Sequence, residues 1–218
     1  MAGDLDSSVT RALSGGNARD VDDALAALAR CPVPDGVTAR RAFFINVYNV
    51  LSRSANRGRE GDSVLDVMRR LRRSYRVAAH ELSCDDVEHG ILRDDARHPA
   101  LFVRAFGPRD PRRSLSVPLD ARIHFAIHCG AVSCPRVRVY DAGALDAQLD
   151  AAEHTFLSGE SRIDEANRTV ETSKILDWYS SDFGGRGGVL SRIGRVLERD
   201  LSAYRLSFAR YDWSFARG

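Results

Sequence analysis

The stretch TARRAFFINVYNVLSRSAN, residues 38–56, constrains the fold more than any other part of the chain. It has the length of a helix and is apolar on almost every side. Phe43, Val47 and Val50 make one stripe, with Phe44, Tyr48 and Leu51 beside it. A helix at a protein surface has a single apolar stripe and a polar face. One that lacks the polar face must be surrounded by the rest of the protein. The sequence therefore predicts a central helix, capped by Thr38. Asn46 and Asn49, spaced i, i+3 on it, become polar groups in an apolar setting, where their amides need partners.

The other elements follow from shorter patterns. Residues 1–17 are polar and contain Gly and Ser, and they predict a flexible N-terminus. Residues 18–218 predict a single domain. DVDDALAALARC, 20–31, has helical spacing with acids in its first turn. DSVLDVMRRLRR predicts another helix. YRVAAHELSCDDVEHGILR, 75–93, predicts a short hairpin and then a helix capped by Asp85 or Asp86 that carries Glu88 and His89. RIHFAIHC, 122–129, alternates and predicts a strand. Residues 141–159 predict an amphipathic helix capped by Asp141, and SRIDEANRTVETS a hairpin around Asn167. KILDWYSSDFGG and GVLSRIGRVLERDL predict two more helices, and YRLSFARYDWSFA an extended end. The fold class is α+β, a predominantly helical domain with a small β-sheet that contains 122–129.

Charge narrows the range of partners. The formal net charge is +2, from 32 basic and 30 acidic residues. That balance opposes a dedicated nucleic-acid binder, which needs a basic excess. The first residues lack the charged and apolar regions of a signal peptide. No apolar run reaches the roughly 18–20 residues of a membrane span. The expectation is a cytoplasmic protein with no membrane partner, in which four cysteines do not form a disulfide framework. RRLRRSYR, 69–76, reads first as a solvated helix face and second as a weak acidic-ligand or membrane-surface patch. FGGRGGVL lacks the P-loop lysine and reads as a turn between helices.

The chemistry concentrates in HFAIHCGAVSCPRVRVY, 124–140, which holds two of the six histidines and two of the four cysteines. His124, His128, Cys129 and Cys134 are all acceptable zinc ligands, but no tight C-x-x-C pair is present. As strand residues, His124 and His128 would stand roughly 13 Å apart, too far for one ion; on a helix they would share one face at i, i+4, and a mixed site of His124, Cys134 and His89 stays open. A turn at Gly130 brings Cys129 and Cys134 within disulfide reach. Alternatively, one cysteine is a nucleophile with a lowered pKa and a nearby base. Cys134 precedes Pro135, so a helical turn starting there would favour its thiolate. His89 then serves as base, with Glu88 or Asn46 orienting it, and His124 is the alternative base. Against all three stands a structural role: cysteines pack well as small hydrophobes, and a core histidine needs only a hydrogen bond. The aromatic set Trp178, Tyr179, Phe183, Tyr211 and Trp213, with Trp178 at i, i+4 from Asp182, reads first as packing and second as a pocket wall.

FFINVYNVL, DDVEHGILR, RIHFAIHCGAVSCP, KILDWYSSDFGG and YDWSF occur in this order. Together they resemble the domain of unknown function 547 family, over roughly residues 38–215. The positions that match its motifs are Asn46, Tyr48, Asn49, Glu88, His89, His124, Cys129, Ser133, Cys134, Pro135, Trp178, Tyr179, Asp182 and Phe183. His128 departs from the pattern, which has asparagine or an aliphatic residue there; Cys31 and Cys84 fall outside it. The resemblance implies a fold neighbourhood and no particular reaction. Larger members that join this domain to a glutaredoxin-like module imply thiol chemistry by association.

The functional expectation is a thiol-dependent hydrolase or transferase acting on an amide or thioester. Cys134 is its nucleophile and His89 its base. Cys129, His124, Glu88 and Asn46 complete the catalytic group, and Asn49, Tyr48, Ser133 and Trp178 contact substrate. Backbone amides near Gly130–Cys134 hold the oxyanion. No metal or other cofactor is expected, and the ligand is a small molecule or peptide. The alternatives are a non-catalytic binding domain with a structural polar cluster, a zinc domain and a thiol-redox domain.

Overall fold

The computed structural model describes residues 2–58 and 63–215. Helix α3, Val37–Ala55, lies at the centre, and ten of its residues from Phe43 onward, including Phe44, Ile45, Val47, Tyr48, Val50 and Leu51, are buried. It starts one residue before Thr38: Gly36, at φ 81, takes the cap position and makes no side-chain cap bond. Helices α1, Ala2–Leu13, and α2, Ala18–Leu28, pack against α3 and each other. A flexible segment is expected over 1–17, and within it Ala2–Leu13 is helical. Val9, Ala12 and Leu13 are buried, and Arg53 of α3 donates to the carbonyls of Ala12 and Gly16 at 2.6 and 3.2 Å. A few apolar residues and a remote arginine order a segment whose composition is that of a tail. A capping box between Asn17 and Asp20 starts α2.

Helix α4, Val64–Leu71, follows, with Ser63 accepting from the Asp66 amide at 3.2 Å. The expected hairpin forms from β1, Tyr75–Val77, and β2, His80–Leu82, with Tyr75 opposite Leu82. Asp86–Leu92 is a π-helix rather than an ordinary α-helix. The amides of Arg93 and Asp95 reach back five residues to Glu88 and Gly90 at 3.0 and 3.1 Å. Gly90 permits this, since a Cβ there would lie 2.4 Å from the Phe106 ring.

Residues 122–129 form no strand. Ala121–Phe125 is a 3-10 helix whose cap, Asp120, accepts from the Arg122 amide at 3.0 Å. The alternation of apolar residues instead serves two different cores, as described below. Helix α5, Leu145–Glu160, begins four residues after Asp141, whose carboxylate caps a turn at Gly143 rather than the helix. The hairpin around Asn167 is present as β3, Arg162–Asp164, and β4, Thr169–Thr172. Strand β5, Arg205–Phe208, adds parallel to β4. Between them lie α6, Ile175–Trp178, a 3-10 turn Ser180–Phe183, and α7, Gly185–Val196. The fold is α+β and dominated by helix, with a two-stranded and a three-stranded sheet.

Two apolar clusters fill it. One gathers α1–α4, the first hairpin and the π-helix, with Ile123 and Ile127. The other gathers the C-terminal half of α5, the three-stranded sheet and α6–α7, with Phe125 and Ala131. Cys129 and Trp213 pack against both. The 121–131 segment is the seam between the clusters, and its alternating residues are divided between them.

Candidate functional site

The seam is held from both sides. Asn49 of α3 accepts from the His128 amide at 2.9 Å and donates to the Ala126 carbonyl at 3.0 Å. Asn56 donates to the Cys129 carbonyl at 3.0 Å. Gly130, at φ 98, then turns the chain; a Cβ there would lie 2.6 Å from the Asn56 amide nitrogen. The loop comes back at Cys134, where residues 212–215 clasp it. Ala131 bridges Phe215, the Val132 amide donates to Ser214 at 2.9 Å, and Ser133 Oγ accepts from the Asp212 amide at 2.9 Å.

This fold of the loop sets Cys129 Sγ and Cys134 Sγ 3.0 Å apart. Cys134 Sγ also accepts from the Cys129 amide at 3.2 Å and from the Tyr211 hydroxyl at 3.1 Å. Burial pushes the Cys134 thiol up, but the Cys129 hydrogen bonds, the charge of His128 and the Tyr211 hydroxyl outweigh it and bring it to about 5. Its bond to Cys134, together with burial, raises the Cys129 thiol well above the ordinary value. Burial and the two sulfurs keep Tyr211 a phenol that donates. No helix begins at Cys134: its own amide donates to Ala131 at 3.1 Å, inside a turn. The expected helix dipole is replaced by these discrete donors.

A buried ion network stands beside the thiols. Arg93 and Asp182, both almost wholly buried, form a bidentate pair at 2.6 and 2.9 Å. Asp182 also accepts from His124 Nε2 at 2.8 Å. Burial opposes its charge, but His124 and Arg93 hold its carboxyl well below the usual range. A carboxylate only accepts, so His124 carries a proton on Nε2 and donates it to Asp182. Tyr179 stacks on His124 with centroids 3.9 Å apart and donates to Glu88 at 2.5 Å. Burial and the Glu88 charge keep Tyr179 protonated.

His89 takes a different role from the base expected. Arg93 Nη1 donates to its Nδ1 at 3.0 Å, so the ring's proton is on Nε2. Burial, with His98 and Arg93 nearby, lowers its pKa well below the ordinary value. His89 is thus a neutral donor, and no hydrogen bond joins it to Cys134 among the described residues. Asp85, His89 and His98 offer ligand atoms within 4.8 Å of one another, a spacing open to a metal ion. The proton positions oppose one. His98 Nδ1 accepts from the amides of Ala100 and Leu101 at 3.1 and 3.2 Å, as His89 Nδ1 accepts from Arg93. Metal-binding histidines instead donate from the nitrogen that does not bind the metal.

Both groups face one cavity of ≈ 270 Å³. Of the residues expected in the site, Cys134, Cys129, His124, His89, Glu88, Tyr48 and Trp178 line it. Asn46, Asn49 and Ser133 do not. Asn46 clamps the Tyr140 backbone at 2.7 and 3.0 Å, through both its amide nitrogen and its oxygen; Asn49 and Ser133 fix the cysteine loop. The amides of Val132, Ser133 and Cys134 are bonded to Ser214, Asp212 and Ala131, so they do not form the expected oxyanion hole.

The family model described as protein of unknown function, DUF547, matches residues 37–157, more than half of the chain. The chain belongs to the DUF547 family. No curated protein and no solved structure matches it. The DUF547 match includes both cysteines, His124, His89 and Glu88 and stops short of Trp178, Tyr179, Asp182 and Tyr211. The second half of the cavity wall is therefore built by chain beyond the matched DUF547 segment.

Arg93 is the site residue that pattern reading missed. Asp182 and Tyr179 stand among the motif positions without an assigned role, and Tyr211 belongs to the aromatic set read first as packing and second as a pocket wall. Arg93 is one arginine among many and carries no local signal.

Proposed function

We propose that this protein is a thiol-dependent acyl-transfer catalyst with Cys134 as its nucleophile. The observation that carries the reading is a thiol brought to about 5 on the wall of a cavity shared with the Asp182-oriented His124. The Cys134 thiolate attacks the acyl carbon, and the carbonyl oxygen takes the electron pair. His89 Nε2–H and the Tyr211 hydroxyl are the donors nearest in character to an oxyanion hole. Collapse expels the leaving group and leaves a Cys134 thioester. His124 Nδ1 then takes the proton of the attacking acceptor, and Asp182 stabilises the imidazolium through Nε2–H. A thioester substrate suits the site best, because its thiolate leaves without a proton. An amide requires His124 to supply one.

The 3.0 Å separation of the two sulfurs favours a second reading, dithiol–disulfide exchange with Cys129 as the resolving thiol. That chemistry needs two sulfurs and leaves the buried Arg93–Asp182–His124 network without a task. One experiment separates the readings: incubation with p-nitrophenyl acetate, followed by peptide mass spectrometry. Acyl transfer predicts an acetyl adduct on Cys134 in the wild type and in Cys129→Ser, none in Cys134→Ala, and a longer-lived adduct in His124→Asn. If Cys129→Ser abolishes the adduct, or no adduct forms while glutathione disulfide drives a Cys129–Cys134 bond, the acyl reading fails.

A further inference from the structure

The mouth of the cavity has an unusual rim. On one side, α4 contributes Val64, Val67, Met68 and Leu71 to the wall; on the other, the loop His98–Val103 contributes His98, Pro99 and Ala100. Outward from these, Leu65 is 68 % exposed and Phe102 is 69 % exposed, with Leu101 and Val103 exposed beside it. An exposed loop with three consecutive large apolar side chains is a feature that soluble surfaces avoid unless they dock on something.

The loop is built to present them. The His98 amide donates to Val103 and the Phe102 amide to His98, both at 2.8 Å, which closes the loop on itself. His98 Nδ1 holds the amides of Ala100 and Leu101, and Arg97 donates to the Phe102 carbonyl at 3.3 Å. Phe102 sits at φ 58, a left-handed conformation that a bulky residue rarely adopts. Its side chain is exposed, and Phe102 is not among the residues that line the cavity.

Cations flank the apolar rim. Arg69, Arg72 and Arg73 are exposed at the end of α4, and Arg97 and Arg104 bracket the loop. Arg72, Leu101, Val103 and Arg104 line one depression that shares Asp85, His89 and His98 with the main cavity. The acids paired with these arginines are Asp66, Asp85 and the buried Asp95, which leaves positive charge in excess. Apolar side chains at the tip with arginines around them match the layering of a bilayer surface, acyl chains below and anionic headgroups above.

From this, we infer that the rim formed by α4 and the 98–103 loop docks the cavity mouth on an anionic lipid surface. The docking is reversible and peripheral, since no helix among the described residues is long and apolar enough to cross a membrane. It gives the 69–76 arginines a task beyond that of a solvated helix face. The docking does not depend on the reaction proposed above.

The experiment is co-sedimentation of the full chain with phosphatidylcholine vesicles, with and without 30 % phosphatidylglycerol, across a range of salt. The expected result is binding to the anionic vesicles at least tenfold tighter than to neutral ones, weakening as salt rises. Phe102→Asp and the double substitution Arg72→Glu, Arg73→Glu should each weaken it at least tenfold, with thermal midpoints near that of the wild type because these side chains are exposed. Cys134→Ala should bind as the wild type does, so that loss of chemistry and loss of docking are read separately. Absence of binding to anionic vesicles overturns the inference, as does binding that both rim variants leave intact. A concentration-dependent dimer that Phe102→Asp dissolves also overturns it, since the rim is then an interface between copies.

Discussion

At the scale of single residues, the site is governed by which atoms already hold a proton. Cys134, brought to about 5, should react with iodoacetamide at a rate that is flat from pH 7 to 6 and falls as pH drops through about 5. Cys84, raised by burial, should stay unreactive throughout, which peptide mass spectrometry resolves. His89 gives an opposite kind of test. Its pKa is lowered in the fold, so below about 6.5 the unfolded chain binds a proton that the native state refuses. Stability therefore falls as pH falls below that value, by up to about 1.4 kcal/mol per pH unit from this ring alone. Urea denaturation at pH 7 and pH 5 should show the loss, and His89→Gln should flatten it. Asp182→Asn leaves Arg93 buried without its counter-charge and should cost about 3–5 kcal/mol in the same assay. The sequence made Cys134, Cys129, His124 and His89 visible as reactive types. It did not show their proton positions, because those depend on Arg93 and Asp182, which lie 89 residues apart in the chain.

At the scale of elements, the central helix, the two hairpins and the helical segments after residue 141 were legible, since each is set by local periodicity and turn residues. The 122–129 strand was not. Its alternation is real, but Ile123 and Ile127 face one core while Phe125 and Ala131 face another. Residues 123–127 are buried without a break, and apolar side chains shared between two cores imitate a strand without any ladder partner. The π-helix was equally hidden, because its wide turn follows from the contact of Gly90 with Phe106 and not from any pattern within 86–92. Two glycines test these elements. Gly90→Ala forces a methyl group into the Phe106 ring and should destabilise the protein by about 2–3 kcal/mol while disturbing the Glu88 and His89 side of the cavity. Gly130→Ala combines a strained φ with a clash against Asn56 and should cost about 2 kcal/mol. Its sharper mark is on chemistry, since parting the two sulfurs removes donors from Cys134. The Cys134 labelling profile should then move to higher pH.

At the scale of the whole molecule, two apolar clusters meet at a loop that belongs to both. The cavity opens at this meeting, with the thiols supplied by the seam and the aromatic wall of Trp178, Tyr211 and Trp213 supplied from the far end of the chain. That convergence could not be read from spacing. Trp213 packs against both clusters, so Trp213→Ala should lower the thermal midpoint and also broaden the unfolding transition as the two halves uncouple. Differential scanning calorimetry compares the calorimetric and van't Hoff enthalpies to detect this.

The clasp of the cysteine loop by residues 211–215 also ties acidity to docking. Tyr211 stands 77 residues after Cys134, and its hydroxyl is one of the donors at the sulfur. Whatever lifts the 211–215 strap from the loop takes that hydroxyl away, so the Cys134 thiol is as acidic as the strap is well seated.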